Sequence, residues 1–171
     1  MFQAGIINFA VYENGSEYRG IANVQLPDLA NKVLTVNGAG IAGDVELPVI
    51  GNIDAMTGSI SFLDAPDSAY KLGEQRRHLV EFRAAHEEYD ETGGKLVAKG
   101  QKHVCEIFPK KIGGGTLAPS AAQNVSGEYD FYSLKTIIDG KVVLDVCPAE
   151  GRYIDASGEN RLAQVNKILG K

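Results

Sequence analysis

Cysteine is scarce in this chain of 171 residues: Cys105 and Cys147 are the only two, and they form neither a Cys-x-x-Cys nor a zinc-ligand spacing. They read as core thiols, because nothing in the sequence points to an oxidising compartment. No charged segment followed by an apolar one opens the chain, and no apolar run approaches the roughly 20 residues that span a bilayer. The sequons at Asn14 and Asn124 therefore mean little. The expectation is a soluble protein with no membrane partner, made in a cytoplasm. Basic excess is also missing. At a net charge of -5, no basic patch is available to release counterions from an external nucleic acid.

Recognisable catalytic patterns are equally thin. Gly38-Ala39-Gly40-Ile41-Ala42-Gly43 matches the dinucleotide fingerprint and follows a strand-like run. That mechanism needs a helix opening at the third glycine, whereas Asp44-Val45-Glu46-Leu47-Pro48 is extended and acidic. The segment reads as a flexible loop. His78, His86 and His103 lack the i, i+4 helical spacing of zinc enzymes, and no serine sits in a Gly-x-Ser-x-Gly elbow. Glu87-Glu88-Tyr89-Asp90-Glu91 is a charge run entering a turn, which is ordinarily solvated. The expectation is no catalytic site, no cofactor and no metal.

What is present is β-prone sequence. At 171 residues with 44% hydrophobic and 23% charged residues, the chain fits one domain over residues 1–171, burying about 70% of its unfolded surface. Asn8 to Tyr12 runs into Asn14-Gly15, the strongest short hairpin signal, and a second strand follows from Tyr18 to Leu26, ended by Pro27. Val33 to Val36 precedes the glycine loop, and Val45 to Pro48 follows it. Gly51 breaks the next apolar stretch, and Ser59 to Leu63 is a further strand. Asp67 is placed as the N-cap of a short helix ending at Gly73. Pro109 to Ser126 reads as a loop, Tyr129 to Ile138 and Lys141 to Val146 as a hairpin around Asp139-Gly140, and Asn160 to Leu169 as a short terminal helix with Ser157 near its start. The fold class is mainly β: two packed antiparallel sheets, a sandwich or barrel, with one short internal helix and a short C-terminal helix.

The stretch from His78 to Phe108 alternates at period two, with Val80, Phe82 and Ala84 on one face and Glu81, Arg83 and Glu87 on the other. A turn centred on Thr92 sets Glu81 opposite His103 and Arg83 opposite Gln101, with Lys102 as a misfit on the apolar side. That register separates His86 from His103 onto opposite faces.

Taken in order, Asn8-Phe9, Asn14-Gly15, Tyr18, Gly20, Val24-Gln25-Leu26-Pro27, the glycine loop, Asp139-Gly140-Lys141 and Asn160-Arg161-Leu162-Ala163-Gln164 resemble the major tail tube proteins of contractile-tailed bacteriophages and the related tubes of phage-tail-like bacteriocins. The resemblance implies a structural subunit, not an enzyme, that forms hexameric rings stacked into a tube in the virion tail, assembled in the host bacterial cytoplasm. Implied partners are further copies of itself, the tail sheath protein, the baseplate hub, the tail terminator, and transiently the tape measure protein and DNA in the lumen. By the same resemblance Gly38, Ile41, Val45, Leu47 and Pro48 form a loop reaching the adjacent ring, the plain alternative being an unused surface loop. The hairpin face carrying Glu81, Arg83, Glu87, Lys99, Gln101 and His103 would line the lumen. Six copies at -5 each make a ring of about -30, a wall that repels DNA as it ejects. The rival readings are the tube of a bacteriocin or contractile injection system, and a small-molecule-binding β-barrel.

Overall fold

The computed structural model describes residues 2–171 (for Ala22, the backbone). Eleven strands and two short helices follow in order: β1 Phe2–Glu13, β2 Ser16–Tyr18, β3 Ile21–Gln25, β4 Asn31–Val36, β5 Val45–Ile53, β6 Met56–Phe62, α1 Asp67–Leu72, β7 His78–Asp90, β8 Lys95–Gly113, β9 Ser126–Ile138, β10 Lys141–Cys147, β11 Arg152–Ile154 and α2 Ala163–Ile168. The architecture is mainly β, in two antiparallel sheets, as the sequence led us to expect.

Local turn chemistry sets the hairpins. Asn14 (φ 49°) and Gly15 (φ 82°) both lie in the left-handed region that a tight two-residue turn demands, and Asp139 (φ 49°) with Gly140 (φ 78°) repeats the arrangement. The second expected strand, Tyr18 to Leu26, is in fact two. Gly20 adopts φ 83°, so the chain leaves β1 after Tyr18 and crosses over to pair β3 with β6. The expected Pro109–Ser126 loop is shorter, because β8 continues to Gly113 against β9.

The large sheet has the order β11-β10-β9-β8-β7-β1-β2, and β9 also pairs with β6, which carries β3. The N-terminal half of β9 bonds β6 while its C-terminal half bonds β10. The sheet thus folds over itself, and one core forms between the layers from Val11, Ile60, Phe62, Val80, Phe82, Ile107, Tyr129 and Leu134. Each such side chain contributes about 1.5–3 kcal/mol relative to exposure. Ala69 and Leu72 bury α1 against this core, with Pro66 rather than Asp67 at the N-cap. At α2 the N-cap is Leu162. The Asn160 side chain accepts from the Leu162 amide at 3.0 Å, and the expected Ser157 takes no part.

A buried polar cluster ties β1 and β2 to the segment entering β7. The Glu13 carboxylate, 4% exposed, accepts the Tyr18 hydroxyl and the Arg76 guanidinium (2.9 Å), and lies 2.7 Å from Nδ1 of His78. His78 Nε2, 3.0 Å from the Glu74 carbonyl oxygen, carries the hydrogen there, since a carbonyl only accepts. Burial alone would raise the Glu13 carboxyl, but hydrogen bonds from Tyr18, His78 and Arg76 outweigh it and hold the pKa below its ordinary value.

Candidate assembly surfaces

Strands β4 and β5 form a separate two-stranded sheet, an arm standing off the sandwich. Val33 pairs with Pro48, Leu34 with Leu47 and Val36 with Val45. A two-stranded ribbon has two edges, which accommodates Pro48. The glycine loop forms its tip, where the Asn37 side-chain amide donates to Asp44 at 3.1 Å and the Ile41 amide to the Gly38 carbonyl at 3.1 Å. No helix follows the loop. Ile41, Val45, Leu47 and Pro48 are all exposed, as are Val33, Leu34 and Ile50 on the same arm. The arm thus exposes apolar side chains on both of its strands, more than scattered single surface residues would give.

Among the described residues several stretches of the large sheet are bonded on one side only, β3 and residues 95–100 of β8 among them, and two more lie near the ends of the strand order. Strand β2 covers β1 only from Val11 to Glu13, leaving Phe2–Ala10 bonded on the β7 side alone. At the far end, β11 covers β10 only from Asp145 to Cys147, leaving Lys141–Leu144 bonded on the β9 side alone. Open edges of this kind are templates for another strand.

The β7–β8 hairpin departs from the expected register by one residue. Phe82, not Glu81, lies opposite His103, Arg83 opposite Lys102, and Ala84 opposite Gln101. The reason is the turn. Asp90 pairs with Lys95, so four residues span it, with Gly94 at φ 60° inside the turn rather than in the ladder. The Asp90 carboxylate accepts the Thr92 amide at 3.0 Å. A single-residue slip moves every side chain of one strand to the other face. The six residues expected on one wet face therefore split: Glu81, Arg83 and Glu87 share the outer face with Lys102, whereas Lys99, Gln101 and His103 share the inner face with Phe82 and His86. Lys102 is no misfit, and His86 and His103 lie on the same face.

On the outer face the Glu81 carboxylate accepts from Arg83 (2.7 and 3.1 Å) and pairs with Lys102 at 3.2 Å. The Arg83 guanidinium lies over the Tyr12 ring, 4.4 Å from its centroid. Further across the sheet, Lys135 stands opposite Asp145, which pairs with Arg152 at 3.0 Å. The hydrogen bonds from Arg83, and then those from Lys102, hold the Glu81 carboxyl below its ordinary pKa despite partial desolvation. Tyr12, Lys135 and Arg152 were not singled out from sequence, and Lys102 was expected on the opposite face. The period-two pattern around Lys135 was available, but only the cross-strand register joins these residues into one face.

On the inner face, beyond Phe82, the sandwich opens into a cleft of about 450 Å³ lined by Ile6, Phe9, Val24, Leu26, His86 and His103, among others. His103 Nδ1 lies 2.9 Å from the Thr136 hydroxyl, and burial lowers its pKa, with His86 nearby adding to the effect. Among the described residues no group of three or more His, Cys, Asp or Glu is arranged to hold a metal. Both cysteines are buried and unpaired, and burial pushes the Cys105 thiol up, away from nucleophilic use. No described helix is long and apolar enough to cross a membrane.

A folded-over antiparallel sheet with open edges and an exposed apolar arm offers surfaces on which another chain can pair. The chain belongs to the phage tail tube protein FII family, whose model matches residues 3–170. It is accordingly a phage tail tube protein. No curated protein matches it by sequence. Its fold is similar to the sheath/tube terminator of an extracellular contractile injection system, PVC, at 9% identity and a TM-score of 0.54, covering 80% of this chain and 98% of that one. The PVC sheath-tube complex (10% identity, TM-score 0.48, 77% and 87% covered) and Hcp1 from Flavobacterium johnsoniae (13% identity, TM-score 0.41, 75% and 93% covered) are further neighbours.

Proposed function

We propose that this subunit closes head to tail into hexameric rings, that the rings stack into the inner tube of a contractile tail, and that the tube conducts DNA on ejection. The observation carrying this reading is the pair of unpaired edges, Phe2–Ala10 of β1 and Lys141–Leu144 of β10, at opposite ends of one sheet. Joining the edge of one copy to the opposite edge of the next covers backbone groups that the lone subunit leaves open, as in a closed heterologous ring. In such a ring β3, β6 and α1 cover the inner face of the sheet, so the outer face, with Glu81, Arg83 and Glu87, turns to the lumen. The arm, through Gly38, Ile41, Val45, Leu47 and Pro48, reaches the adjacent ring and buries its apolar surface there. Sheath protein would surround the tube, with the baseplate hub and tail terminator at its ends and the tape measure protein inside before DNA passes. The site of action is the tail of the particle, assembled in the bacterial cytoplasm. The subunit has no catalytic role.

Negative-stain electron microscopy across a concentration series, with and without a baseplate, tests the assembly. Rings or hollow tubes are the expected result. Persistent monomers at high concentration with a baseplate present would refute it. The cleft of about 450 Å³ supports a second reading, a site for a small apolar molecule, which would appear as ligand-dependent thermal stabilisation of the isolated subunit.

A further inference from the structure

The chain carries a net charge of -5, yet its outer sheet face mixes both signs. Glu17, Glu81, Glu87, Glu106 and Asp145 are among its acids. Arg83, Lys102, Lys135 and Arg152 are among its bases. The total charge of a ring therefore does not describe how charge is arranged on this face. The bases are the reactive element. A phosphate backbone gains affinity from each lysine or arginine it meets, through counterion release. Exposed cations on a conduit wall would grip DNA and stall it.

The arrangement around Glu81 answers that problem. Its carboxylate is shared by two cations from two strands, Arg83 on β7 and Lys102 on β8, and Arg83 is further held over Tyr12. We propose that Glu81 is a charge guard, engaging Arg83 and Lys102 so that the outer face does not bind the phosphate backbone of DNA moving past it. The proposal rests on the reading of that face as the lumen wall. It replaces like-charge repulsion with internal neutralisation: the wall slides past a polyanion because its cations are already occupied. Glu81 acts through its neighbours and is a positioning residue.

The test is binding of a short fluorescent DNA duplex, across a salt series, to the wild-type subunit and to Glu81→Gln, each measured unassembled and after assembly. Freeing two cations should raise affinity about tenfold at low salt and steepen the plot of log K against log salt by about 1.8. The triple variant Glu81→Gln, Arg83→Gln, Lys102→Gln should lose that gain. Glu46→Gln, the same charge change on the arm, should stay at the wild-type level. Equal affinity and slope for Glu81→Gln and wild type would overturn the proposal, as would a matching gain in Glu46→Gln or persistence of the gain in the triple variant. Because the unassembled subunit presents the same face, failure to form tubes counts against the assembly reading and leaves the binding result decisive for Glu81.

Discussion

Gly51 and Leu162 are in such close approach that a Cβ on Gly51 would stand 2.5 Å from Cγ of Leu162. Gly51 lies in β5 at φ 64°, and Leu162 is buried at the start of the C-terminal helix. The base of the arm is thereby seated on the end of the chain. Gly51→Ala combines overpacking with left-handed strain and should destabilise the subunit by about 1–3 kcal/mol. Urea denaturation measures this, and Leu162→Ala in the same chain should recover less than the whole loss, because the backbone strain stays.

The Glu13 cluster predicts a defined pH dependence. Glu13→Gln leaves His78 and Arg76 facing a neutral amide in a buried site, a loss of about 3 kcal/mol at neutral pH. The folded carboxyl lies below its ordinary value of 4.5, so its stabilisation is complete above that value and is lost as pH falls through the lowered one. The stability gap between wild type and Glu13→Gln should therefore shrink as pH falls below that ordinary carboxylate value. Denaturant midpoints at a series of pH values provide the check.

Leu47→Asp places a charge on the exposed, apolar arm. The fold should be unaffected within about 0.5 kcal/mol, since the residue is exposed. Stacking should fail, because the charge would be buried against the next ring. Electron microscopy showing single rings and no tubes is the expected outcome, and unchanged tubes would refute the role given to the arm.

Tyr129 is fully buried, its hydroxyl finds no hydrogen-bond partner among the described residues, and burial raises its pKa to about 12. Removing an unsatisfied hydroxyl removes a desolvation penalty. Tyr129→Phe should be neutral or stabilising by up to about 1 kcal/mol, read from the shift in thermal midpoint.

The sequence by itself determined the punctuation of this protein. Asn14-Gly15 and Asp139-Gly140 define their hairpins because the left-handed backbone of a tight turn is a property of two adjacent residues. The apolar runs of β6, β7 and β9 read as strands for the same local reason, and the order of motifs across the chain pointed to the tail tube family. Tertiary structure alone decided the faces. A three-residue or four-residue turn after Asp90 fits the same local sequence, yet the choice moves Gln101 and His103 from a wet face to the cleft and brings Lys102 to Glu81. Nor does any local pattern tell that β9 serves β6 with one half and β10 with the other, or that Gly51 makes room for Leu162. Which face a strand buries depends on what distant segments pack against it, and that competition is settled only when the whole core closes.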